Sequence, residues 1–137
     1  MTEAVRKERP VYRNIHVFQI IRYRLPLSGK LSILHRISGA LLFFAFPLVL
    51  LPLFEKSLTS ELGWVEFRSA VGSPLLKLIL LVLLWSYLHH FCAGIRYLLL
   101  DVHVGLQKRQ AVKNAGVVFA VSLGLTFILG LKLFGVF

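Results

Sequence analysis

Two short runs hold the side chains whose types and spacing could do chemistry. The first is Ser32-Ile33-Leu34-His35-Arg36-Ile37-Ser38-Gly39, in which Ser32, His35, Arg36 and Gly39 recur at i, i+3, i+4 and i+7. On a helix these four share one face. It presents a hydroxyl, an imidazole, a fixed cation and a glycine against which something can come close to the backbone, a set suited to an anionic or carbonyl-bearing ligand. The same residues also fit a plainer reading, with Arg36 snorkelling to phospholipid headgroups and Ser32 capping the helix. The second run places His90, Gly94, Tyr97 and Asp101 at i, i+4, i+7 and i+11, with Ser86 and Tyr87 a turn before. His89 points about 100° away, alongside Cys92 and Arg96. A neutral imidazole inside an apolar helix needs a partner, either a hydrogen-bonding group on a neighbouring helix or a metal, and Gly94 would leave room for a flat macrocycle.

The elements that must position these runs follow from composition. The 137 residues are 57% hydrophobic and 16% charged, against about 45–50% and about 25% in soluble domains, so a soluble globular fold is disfavoured. Three apolar blocks run from Leu31 to Phe54, Pro74 to Leu100 and Gly116 to Phe137. As helices they would span roughly 36, 40 and 33 Å, each enough to cross about 30 Å of hydrocarbon. They are apolar all round rather than striped, as lipid-embedded helices are. A membrane barrel needs at least about eight alternating strands, more than this chain can supply. The expected fold is an all-α membrane protein with three transmembrane helices, 31–54, 74–100 and 116–137. These are joined by a basic tail at 1–30 and loops at 55–73 and 101–115.

The tail does not read as a cleavable signal peptide, because its charged region is too long and no short apolar core with a small-residue cleavage site follows. Cys92 is the sole cysteine, which excludes an intrachain disulfide and a cysteine-held metal or cluster. Neither repeats nor low-complexity tracts occur.

Charge sets the orientation. The net +10 does not imply nucleic acid, because the basic residues sort by side of the membrane. Arg6, Lys7, Arg9, Arg13, Arg22, Arg24, Lys30 and Arg36 stand against Glu3 and Glu8 before the first helix core. Lys108, Arg109 and Lys113 stand against Asp101 in the second loop, whereas the first loop holds Glu55, Glu61 and Glu66 against Lys56 and Arg68. The positive-inside rule then places the N-terminus and second loop in the cytoplasm and the first loop and C-terminus in the periplasm. Lys132 dissents near the C-terminus and can snorkel to the outer headgroups. Trp64 and Phe67 allow the first loop to lie on the outer surface as a short interfacial helix.

Ionisable groups in a membrane helix cost roughly 2.5–3.5 kcal/mol each on insertion scales, and those that persist are functional candidates. Both runs fall in the cytoplasmic half. His90 lies about 15 Å in from Leu100, and His35 and Arg36 are expected nearer the surface. A haem ligated by His90 with its propionates toward the cytoplasm would meet those cations at the correct depth. With no other deep histidine on the opposite side, a six-coordinate haem would take its second ligand from another chain.

On these residues the chain resembles the cytochrome b membrane-anchor subunits of succinate dehydrogenase, respiratory complex II. The resemblance rests on Arg9-Pro10, on SILHRISG from Ser32 to Gly39, and on HFCAGIRYLLLD from His90 to Asp101, and it covers the chain in order. It implies that Ser32 and Arg36 line a ubiquinone site, and that His35 and Arg36 contact haem propionates. It makes His90 an axial ligand of haem b, the other ligand coming from a second hydrophobic membrane-anchor subunit. Asp101 matches a family aspartate at the inner end of the second helix. A flavoprotein subunit and an iron-sulfur subunit would be the remaining partners, in the bacterial inner membrane. The stretch from Pro10 to Ser32 is a few residues longer than is usual in the family. Tyr97 replaces a more usual histidine or phenylalanine, and Leu100 a common aromatic or methionine.

On this reading the chain catalyses nothing alone. Succinate oxidation and single-electron transfer belong to the partner chains, since this one has neither a nucleotide fingerprint nor the cysteines for clusters. Arg36 would stabilise charge developing on the quinone, and Ser32 would donate it a hydrogen bond. The competing readings are a haem-free anchor of a related fumarate reductase, a non-redox membrane scaffold, and a small transporter subunit. The last finds no polar pathway in the outer halves of the helices.

Overall fold

The computed structural model describes residues 16–136. The tail residues Glu3, Arg6, Lys7, Glu8, Arg9, Pro10 and Arg13 lie outside the described residues. After a short helix α1 (Val17–Arg22), Pro26 takes an extended conformation and opens α2 (Leu27–Ala45). A proline fits there because it lacks an N–H that a helix start would leave unpaired. The helix continues through one π turn, Phe46–Leu50, into α3 (Leu51–Thr59). Pro47 sits at the start of that turn, where it has no N–H to give, and the chain widens until Leu51 N–H donates to the Phe46 carbonyl five residues back.

Two serines restart the chain. Ser60 Oγ accepts from Gly63 N–H at 3.0 Å to open α4 (Glu61–Gly72), and Ser73 Oγ accepts from Leu76 N–H at 3.3 Å to open α5 (Pro74–Asp101). Each satisfies one of the orphan donors of a first helical turn. Lys56 pairs with Glu66 across the α3–α4 hairpin, and Trp64 stacks on Phe67 at 5.3 Å. The α5–α6 turn uses His103 at φ 64° and Gly105 at φ 83° before α6 (Lys108–Leu133) begins.

Among the described residues three helical stretches are long and apolar enough to cross a membrane: Leu27–Thr59, Pro74–Asp101 and Lys108–Leu133. The expected all-α architecture with three spanning helices therefore holds. Helix and apolar block are not coextensive, however. The first helix begins four residues before Leu31, and the third begins eight before Gly116. Most of 55–73, read as a loop with a short helix allowed around Trp64 and Phe67, is helical. Hydropathy marks the lipid-compatible stretch, whereas backbone hydrogen bonding carries a helix on into polar sequence.

Helix α5 packs along both α2 and α6, and α2 also touches α6. The interior is built from small and polar side chains: Ala93, Ala115, Ser38, Ser86, Ser122 and His89 are buried together with Leu31. Small residues let membrane helices approach closely where no water drives them together. Large side chains such as Phe43, Phe44, Phe46 and Leu48 stay on the outside.

Candidate functional site

The two chemistry-bearing runs meet where α2 crosses α5. The rings of His35 and His90 stack with centroids 4.1 Å apart and planes 9° from parallel, and Tyr97 tilts against His35 at 5.1 Å. His90 Nδ1 lies 3.0 Å from the His35 carbonyl oxygen and 3.4 Å from Ser38 Oγ, whose hydroxyl itself donates to the His35 carbonyl at 2.9 Å. A carbonyl only accepts, so the ring proton sits on Nδ1 and the lone pair on Nε2. This is how a metal-binding imidazole is usually oriented, with its second nitrogen donating to a carbonyl or carboxylate. The Nε2 lone pair lies in the ring plane, so stacking on the ring face leaves it open.

Gly39 makes this geometry possible. A Cβ at that position would stand 2.8 Å from His90 Cε1 and 3.2 Å from Nδ1. The close approach read from the sequence is therefore taken up by the His90 ring. At Gly94 a Cβ would meet only His35 Nε2, at 3.9 Å, an ordinary contact that leaves the position open. Counted from Leu27, His35 lies about 12 Å along α2, where the stacking brings it to His90.

Ser32 and Arg36 sit one turn apart on α2, Ser32 half-buried and Arg36 exposed. Pro26 occupies the helix cap, so Ser32 lies in the second turn and has no capping role. Among the described residues no carboxylate pairs with Arg36. Asp101 is exposed at the end of α5. The four residues singled out, Ser32, His35, Arg36 and His90, thus lie on α2 and the α5 face it covers.

Ser38, not singled out in the sequence, completes the site by contacting both His90 and the His35 carbonyl. Its position three residues after His35, where a hydroxyl can reach back to the i−3 carbonyl, was the available signal. His89 faces the opposite way, fully buried, with Nδ1 3.4 Å from Ser122 Oγ on α6 and its ring between Trp85 at 5.3 Å and Phe119 at 5.4 Å. Among the described residues there is no cluster of three His, Cys, Asp or Glu side chains able to hold a metal ion. A single oriented imidazole, rather than a cluster of ligands, suits an iron that brings its own macrocycle.

The protein named succinate dehydrogenase cytochrome b556 subunit from Paracoccus denitrificans is 33% identical over 137 residues, covering 100% of both chains. Its namesakes from Coxiella burnetii and Rickettsia felis are 30% and 29% identical, over 75% and 78% of this chain and 82% of each relative. Residues 5–129 match the family described as the succinate dehydrogenase/fumarate reductase transmembrane subunit, and the chain belongs to that family.

Proposed function

We propose that this chain is the haem b-binding membrane-anchor subunit of a succinate:ubiquinone oxidoreductase. It holds the flavoprotein and iron-sulfur subunits at the membrane and helps form the ubiquinone reduction site. The observation that carries the reading is the His90 imidazole, tied through Nδ1 to the His35 carbonyl and backed by Gly39. Family membership and the cytochrome b556 name of the relatives support it. The protein spans the bacterial inner membrane with its N-terminus cytoplasmic and its C-terminus periplasmic, and 31–54, 74–100 and 116–137 are its hydrocarbon-embedded parts.

His90 Nε2 would hold the haem iron, together with a ligand from the second anchor subunit. His35 and Arg36 would meet the haem propionates, which need cationic partners in a water-poor setting. When bound, the haem supplies a one-electron store beside the quinone route. Arg36 also faces the quinone, where a preorganised guanidinium stabilises negative charge developing on a quinone oxygen. Ser32, free of any capping duty, donates a hydrogen bond to the quinone. Both residues raise the probability that the quinone waits with its carbonyl oriented for proton-coupled reduction, and neither forms a covalent bond to it.

Purification in mild detergent through a tag on this chain tests the reading. Co-purification of a large flavoprotein and an iron-sulfur protein, with a b-type reduced-minus-oxidised spectrum, is expected. A chain that purifies without them and without haem would contradict it.

A further inference from the structure

A second polar feature lies on the side of the molecule away from His90. Arg96 is only 6% exposed, yet among the described residues no carboxylate pairs with it. Its Nη2 donates to the Ala111 carbonyl at 3.3 Å, its guanidinium lies 5.4 Å from the Tyr97 ring centroid, and its Nε has no partner. A buried guanidinium with unspent donors calls for an anion.

Arg96 lines a groove of about 470 Å³ between α5 and α6, a size within the range of small-molecule sites. The groove has two parts. Arg96 and Asn114 are its polar side chains, close to the α5–α6 turn, while Cys92, Val117, Val118 and Val121 continue it as an apolar wall toward the middle of the helices. Cys92, Ile95, Arg96 and Leu99 lie on the face of α5 opposite His90, so the groove is separate from the α2–α5 site. The first turns of α6 carry Lys108, Arg109 and Lys113, all exposed, at the positive end of that helix dipole. This surrounding attracts anions and repels cations.

An occupant that satisfies both parts must be an amphiphile with an anionic head and a hydrocarbon tail. We propose that the groove is a phospholipid site: the phosphodiester lies at Arg96 and Asn114, and one acyl chain lies along Val117 and Val121, in the leaflet that holds the α5–α6 turn. Basic pockets between helices near a membrane surface recognise lipid headgroups in this manner. The site is independent of the haem and quinone assignments.

The test uses the intact assembly in which the chain purifies, reconstituted in phosphatidylcholine nanodiscs containing a minor fraction of phosphatidylglycerol with a photoreactive acyl chain. Adducts are mapped by mass spectrometry. The site predicts adducts concentrated at Cys92, Val117 and Val121, with about a fivefold preference over the matching phosphatidylcholine probe, the value of one added charge pairing near a membrane surface. Arg96→Gln abolishes the preference, and Val117→Trp, which fills the groove and leaves Arg96 in place, abolishes the adducts. Retained co-purification of partners reports assembly, and Val117→Trp decides the matter if Arg96→Gln does not assemble. Added inorganic phosphate leaves the adducts unchanged. Adducts spread evenly over the outer surface, a groove without adducts, adducts indifferent to Val117→Trp, or their loss to inorganic phosphate, which would mark a free-anion site, would each overturn the proposal.

Discussion

Gly39→Ala adds one methyl group at the point where α2 meets the His90 ring. The new Cβ would stand 2.8 Å from Cε1, against an ordinary contact distance of about 3.4 Å, so the ring must move by about 0.6 Å. It cannot do so freely, because its face is stacked on His35 at 4.1 Å and its Nδ1 is held by the His35 carbonyl at 3.0 Å. A shift of that size takes the Nδ1 bond to about 3.6 Å, beyond hydrogen-bond range. The overpacking costs about 1–3 kcal/mol, and loss of an orienting partner costs a metal site about 10–100-fold in affinity. The assay is haem content per flavin and midpoint potential of the purified complex. Gly39→Ala should retain haem poorly and shift its potential. Gly124→Ala, where nothing lies within 4 Å, serves as the control and should match the parent. If Gly39→Ala matched the parent in content and potential, the claim that the close approach at Gly39 sets the His90 imidazole would be refuted.

Four further outcomes follow from the same geometry. Arg36→Ala should remove most succinate-to-quinone activity while dye-coupled succinate oxidation persists; equal loss of both would assign the residue to assembly. Ser38→Ala deletes one bond to the His35 carbonyl and should lower the thermal stability of the complex by about 0.5–1.5 kcal/mol, with a smaller change in haem retention than Gly39→Ala; a larger change would reverse the ranking of the two contacts. His89→Ala empties a buried site between Trp85 and Phe119 and should destabilise by about 2–5 kcal/mol, so an unchanged melting temperature would show that the site is not packed as described. Gly105→Ala forces a Cβ onto a residue at φ 83° and to 2.7 Å from Asn114 Nδ2, costing at least about 1–2 kcal/mol, and wild-type melting would count against the turn.

Much of this was legible in the sequence, and the failures have physical causes. Three spans could be counted because a hydrocarbon core about 30 Å thick demands long apolar blocks. The partnership of the SILHRISG and HFCAGIRY runs was legible because polar groups in a membrane helix must find one another or a ligand. The start of α2 was not: the helix begins at Leu27, and Pro26 marks that start better than the apolar edge at Leu31 does. Nor could composition separate His89 from His90, since a helix apolar all round carries no stripe to show which side faces its neighbours. The burial of Arg96 was hidden for the same reason, because α5 and α6 together enclose it. At Gly39 the opening that the sequence offers is filled by the His90 imidazole from the facing helix.

The central claim is that His90, and not its neighbour, holds the iron. Reduced-minus-oxidised spectra of the purified complex carrying His90→Ala or His89→Ala test it most directly. The account predicts that the b-type signal is lost or strongly altered in the first and kept in the second; an unchanged spectrum in His90→Ala would contradict it.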